Sequence, residues 1–94
     1  MKKISDANRF SILQEEMTHC FICRKNVIDK HEIFGGINRQ KSKAFGLVVA
    51  LCREHHEEAH KHGSLDMYLK QVGQKAFEEK YQMNFLNVFG VNYK

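Results

Sequence analysis

Proline and tryptophan are absent from the 94 residues, cysteine occurs three times and glycine six times. Without proline, a Gly/Ser-rich stretch, a repeat or a low-complexity segment, nothing divides the chain, and its length suits one domain spanning residues 1–94. No apolar run approaches the roughly 20 residues that cross a bilayer, and no N-terminal stretch resembles a signal peptide. The expectation is a soluble, intracellular protein. Charge of either sign is also modest: 15 Lys and Arg against 11 Asp and Glu leave +4, with six histidines counted neutral. That balance favours a polyanion without amounting to a basic tail.

What the chain does have is a split set of metal-ligand residues. Cys20-x2-Cys23 is followed, after 28 intervening residues, by Cys52-x2-His55, with His56 next and His60 four residues further on. Thiolates and imidazoles suit zinc, and two short ligand pairs brought together from separate segments close a tetrahedral Cys3His site. All three cysteines are then used, and none remains for a disulfide. His55 and His56 both follow Cys52 within one helical turn, so either completes the set. Four protein ligands leave no open coordination position, so such a zinc organises the fold of a small chain and does not catalyse.

Residues 5–17 read as an amphipathic helix, capped by Ser5 or Asp6, with Phe10, Leu13 and Met17 on one stripe. Val27-Ile28 and Ile33-Phe34 read as short strand segments, Gly35 to Gly46 as a loop, and Leu47 to Leu51 as a buried strand entering Cys52. Arg53 to His62 suits a helix. Ser64 caps another with Leu65, Leu69, Val72 and Ala76 at helical spacing, and Asn84 caps a last one through Phe85, Leu86 and Phe89, ended by Gly90. Tyr68, Phe77, Tyr81, Phe85 and Phe89 fall on helical stripes and read as core. The predicted class is α+β: a treble-clef zinc finger, its hairpin closed by zinc onto the following helix, with flanking N-terminal and C-terminal helices.

The second half carries more histidine than zinc needs, and Lys30-His31-Glu32-Ile33-Phe34-Gly35-Gly36 lies between the two pairs. Together with Asn38-Arg39, Ser42, Gly46-Leu47-Val48-Val49, Leu51-Cys52 and His55-His56, this run resembles the zinc-stapled HNH endonucleases of the ββα-metal group. More narrowly, it is similar to the small phage recombination-enhancement, RecA-dependent nucleases. The resemblance covers about four-fifths of the chain and weakens after His60. It implies a DNA endonuclease with a structural zinc and one catalytic Mg²⁺ or Mn²⁺, acting in phage recombination, encoded by a phage or prophage, and working in the bacterial cytoplasm with the host recombinase filament as partner.

Carried over position by position, His31 and His56 fall on metal ligands and Glu32 on the general base. Glu32 is a departure, since that position usually holds histidine. In the alternative register His31 is the base, its neutral imidazole suited to the task, with Glu32, His56 and His60 around the ion. His60 shares a helix face with His56. A second departure is Leu47 where the middle asparagine is expected, with Asn38 lying earlier. Arg39, Lys41 and Lys43 in the loop and Arg53 at the helix start are candidate phosphate contacts. Both departures are compatible with a different class of protein, a catalytically inactive zinc-stabilised module that binds DNA or protein.

Overall fold

The apolar run at 47–51 supplies the inner strand. In the computed structural model, which describes residues 9–27 and 29–94, β1 (Lys30–Glu32) pairs antiparallel with β2 (Val48–Ala50), setting His31 opposite Val49. Backbone bonds from Ile33 N to Leu47 O and from Leu51 N to Asp29 O carry the pairing beyond both ends. All three residues of β2 are buried, whereas in β1 only His31 is. The strand therefore lies between the two expected segments. Val27 instead donates its N–H to Thr18 O, closing the Cys20–Cys23 turn, and Ile28 lies outside the described residues.

The expected loop from Gly35 to Gly46 is mostly helical. A 3-10 turn at Gly36–Asn38 leads into α1 (Arg39–Phe45), whose buried Ser42 hydroxyl donates to Phe34 O and accepts from Phe34 N. That pair satisfies backbone polar groups where the chain leaves β1. Gly46 ends α1 at φ +74, and a Cβ there would run into the Phe10 ring. Gly46→Ala is therefore expected to cost about 1–3 kcal/mol, from the left-handed backbone alone, in urea unfolding.

The helix expected over 5–17 is not formed in its described part, 9–17; its caps Ser5 and Asp6 lie outside the described residues. A local serine turn and long-range bonds take the backbone instead. Ser11 Oγ accepts from Leu13 N and Gln14 N, Ile12 N donates to Gly46 O, and Gln14 Oε1 accepts from Ala50 N on the outer edge of β2. Phe21 N donates to Ala50 O on the same edge. A two-stranded sheet with an open edge would invite pairing with another chain, and this strap covers it.

Three helices follow: α2 (Arg53–His60), α3 (Ser64–Tyr81) and α4 (Phe85–Phe89). α2 ends two residues before the expected limit, where His62 turns to φ +57. Gly63, not Ser64, takes the N-cap of α3, whereas Asn84 caps α4 as read, accepting from Asn87 N. Along α3, Asp66, Leu69, Gly73 and Phe77 face inward, and Gly73 lets Phe34 and Ile33 approach the helix backbone. Phe34, Phe77, Phe85 and Phe89 form the aromatic centre, with the Phe85 and Phe89 rings stacked at 4.4 Å. Tyr68 is the exception among the expected core aromatics and is exposed. Buried Gln74 bonds Asn92 and the Tyr93 N–H, tying the C-terminal residues onto α3.

Candidate metal centres

The first centre begins with a tight turn. Cys20 N donates to Lys25 O and Arg24 N to Cys20 O, with Arg24 at φ +70, so Cys20 and Cys23 are held on one side of the turn. Cys52 is the N-cap of α2, and His55 sits one turn into that helix. One ligand atom from each of Cys20, Cys23, Cys52 and His55 lies within 4.8 Å of the others, so these residues could hold a metal ion. Cys23 Sγ is 3.8 Å from Cys52 Sγ, and His55 Nδ1 is 3.6 Å from Cys20 Sγ and 3.1 Å from Cys52 Sγ.

Electrostatics of the sulfurs agree with a cation between them. Burial pushes the Cys20 thiol up, but hydrogen bonds from the Cys23, Cys52 and Ile22 backbones and the Cys23 side chain outweigh it and bring it down to about 6. For Cys23, the Lys25 backbone pulls down while burial and the Cys20 and Cys52 sulfurs push up, with a net rise. One thiolate forms readily and then opposes its neighbours, a conflict that a bound cation relieves.

The second centre follows from two periodicities. On α2, His55 and His56 are about 100° apart, whereas His56 and His60 share a face. The same helix thus offers His55 to the cysteines and His56 with His60 to β1. His31, the one inward residue of β1, completes a second group whose ligand atoms also lie within 4.8 Å of one another. The His31 ring centroid is 5.3 Å from that of His56 and 5.5 Å from that of His60. His31 is 7% exposed, and its Nε2 is buried with no hydrogen-bond partner. Burial, then His56 and His60, hold it down to about 4. His56 is lowered too, by burial and by His60, against Asp29, whose Oδ2 lies 3.8 Å from its Nδ1. Three clustered imidazoles, at least two of them held neutral, fit a cation that would satisfy the orphaned His31 nitrogen.

Glu32 does not join this group. Its Oε1 accepts from Arg39 Nε at 2.6 Å and its Oε2 lies 3.1 Å from Arg9 Nη2. Glu32 and both arginines line an open groove of about 430 Å³ that also exposes the three histidines, Gly35 and Gly36. Glu32 is thus beside the histidines and outside their ligand set, and the register with Glu32 as a ligand is not the one these positions assemble.

The other candidates separate. On a helix, residues two apart point to different sides, which separates Lys41 from Arg39, while Lys43 shares the Arg39 face by spacing but is buried, so the three do not form one patch. Arg39 reaches the groove; Lys41 Nζ donates to Val88 O at 2.7 Å; Lys43 is 2% exposed. Arg53 lies by His56 with its Nε 3.8 Å from Asp29 Oδ2. Asn38 does not brace the hairpin: it is buried, and its Nδ2 donates to Phe89 O. Arg9, Asp29 and Lys30 around the histidines, and the buried Asp66 paired with Lys70 at 2.9 Å, were not singled out from sequence. Asp29 and Lys30 lie two and one residues before His31, a local signal; Arg9 and Asp66 reach the site only through tertiary folding.

No family model, curated protein or solved structure matches the chain. No helix among the described residues is long and apolar enough to cross a membrane. The molecule is a small α+β protein with a two-stranded sheet, four α-helices among the described residues and a Cys/His cluster able to bind metal.

Proposed function

We propose that the protein is a divalent-metal-dependent DNA endonuclease of the zinc-stapled HNH type, with a treble-clef ββα-metal core. The observation that carries this reading is the pairing, on one two-turn helix, of a Cys3His cluster with a separate, groove-exposed His31–His56–His60 cluster. The first fits a structural zinc: thiolates at about 2.3 Å from one tetrahedral zinc lie about 3.8 Å apart, which is the Cys23–Cys52 separation. With four protein donors it has no position left for substrate.

The second cluster is the catalytic one. A divalent cation there would lower the pKa of water and stabilise charge on a cleaved phosphodiester. His31, His56 and His60 are the residues that would hold it, beside the open groove. Asp29 beside His56 Nδ1 favours the tautomer that leaves Nε2 as the donor. Arg39 and Arg9, oriented by Glu32, are placed to grip the phosphate backbone. Glu32, the one carboxylate lining the groove among the described residues, would accept the proton of the attacking water. By resemblance, the substrate is a recombination or replication intermediate in a phage-infected bacterium, with the host recombinase filament as directing partner.

Nicking of supercoiled plasmid by the purified zinc-loaded protein tests the reading, with a panel of cations and with EDTA. An all-imidazole donor set suits late first-row ions better than Mg²⁺, which prefers oxygen. The expected result is EDTA-sensitive nicking at least about tenfold faster with Co²⁺ or Ni²⁺ than with Mg²⁺. Equal rates would remove the three-histidine ligand set, and no nicking with any ion would remove the nuclease. The two guanidiniums on Glu32 favour one other reading, a zinc-stabilised DNA- or protein-binding module without cleavage. It predicts metal-loaded, folded protein that leaves every substrate intact.

A further inference from the structure

Ile37 is 96% exposed, the largest exposure of any large apolar residue among those described, where the next, Tyr68, stands at 51%. It is not on a loose segment. Gly36 at φ +58 starts the 3-10 turn that presents it, Asn38 N donates to Gly35 O, and the Asn38 side chain anchors the turn to Phe89 O. On the other side Phe34 is buried in the aromatic centre and bonded twice by Ser42. The fold thus pins both neighbours of an isoleucine that itself packs against almost nothing.

The position of that turn is informative. Gly35 and Gly36 form a wall of the groove that exposes the three histidines, and the space where their Cβ atoms would stand is open to 4 Å. Arg39 follows two residues later and reaches the same groove. A ligand seated over the histidines therefore meets the cationic side chains of Arg9 and Arg39, with an exposed branched hydrocarbon directly after the glycine wall. A polyanion with apolar faces between its phosphates, duplex DNA, matches that pairing. An apolar side chain at a minor groove wedges between base steps, partly unstacks them and kinks the duplex toward the major groove.

We infer that Ile37 is a DNA-contacting wedge, inserted against the bases or sugars beside the phosphate held over the histidine cluster. This rests on the reading of that groove as a DNA site, but not on cleavage. The wedge opens the minor groove and fixes the duplex in place beside the cluster. It gives a very small protein purchase on duplex without sequence-specific hydrogen bonds.

The test is binding of a short fluorescein-labelled duplex to zinc-loaded protein by anisotropy, together with the fluorescence of a 2-aminopurine placed in the same duplex. Wild type should bind and raise the 2-aminopurine signal as a step unstacks. Ile37→Ala should bind about tenfold more weakly, the loss expected from withdrawing most of one aliphatic contact, and should leave the 2-aminopurine quenched; Ile37→Leu should restore both. Thermal midpoints of the variants should match wild type, since the side chain supports no packing. Equal affinity of wild type and Ile37→Ala, or absence of duplex binding by wild type, overturns the inference. Binding with the Ile37 effect but no cleavage under any cation leaves the wedge standing and removes the nuclease instead.

Discussion

Cys20→Ser is expected to leave the chain largely unfolded at 25 °C and without its structural metal. Cys20 is 1% exposed, sits among the buried core residues, and its turn joins the sheet through Phe21 N to Ala50 O. A domain of this size has a net stability of about 5–15 kcal/mol, while a structural zinc contributes roughly 10–16 kcal/mol to a small fold. Serine keeps the volume but is a far poorer ligand for a soft-leaning cation, so the metal contribution falls below what the apolar core can replace. Near-UV circular dichroism and metal content by mass spectrometry check this together. A variant that is folded and metal-free would remove the Cys3His cluster as a metal site.

The opposite pattern is expected at His31. His31→Ala should abolish DNA nicking, by about a thousandfold or more, while sparing zinc content and the fold. Loss of a cation held by three donors forfeits several kcal/mol of transition-state stabilisation, and each 1.36 kcal/mol is about tenfold in rate. The fold has little to lose, because the buried Nε2 bonds nothing in the protein. Alanine also removes an imidazole whose burial disfavours its charged form. Plasmid nicking beside thermal unfolding separates the two effects. Nicking that persists within about tenfold of wild type would take His31 out of the site, and loss of zinc with loss of fold would make it a structural residue.

The Cys20, Cys23, Cys52 and His55 cluster was legible from spacing, because paired metal ligands recur with two residues between them, whereas the expectation of His31 beside His56 and His60 came from the resemblance and left Glu32 as an alternative ligand. Which histidine joins which cluster was not legible, since His55 and His56 both fall within a turn of Cys52 and only the direction of α2 separates them. The buried strand at Leu47–Leu51 announced itself by composition. Its partner did not: Lys-His-Glu reads as polar surface, and its one inward residue is a histidine facing other histidines. α1 was hidden behind Gly35 and Gly36, whose turn signal was extended over Arg39–Phe45, although Gly46 stood ready as a helix stop. At residues 9–17 an amphipathic pattern lost to tertiary bonding, as Ile12 and Gln14 met backbone groups of Gly46 and Ala50 that no local rule foretells.

α2 contributes Cys52 at its cap and His55 to one cluster, and His56 and His60 to the other, within nine consecutive residues. Cations held at both clusters would share this short rod and would not load independently. The first to bind fixes the rod's pitch and rotation, and so spends in advance the ordering entropy that the second would otherwise meet. Thermodynamic reciprocity then requires each ion to tighten the other. Whatever orders α2 for one cluster would therefore order it for the other as well.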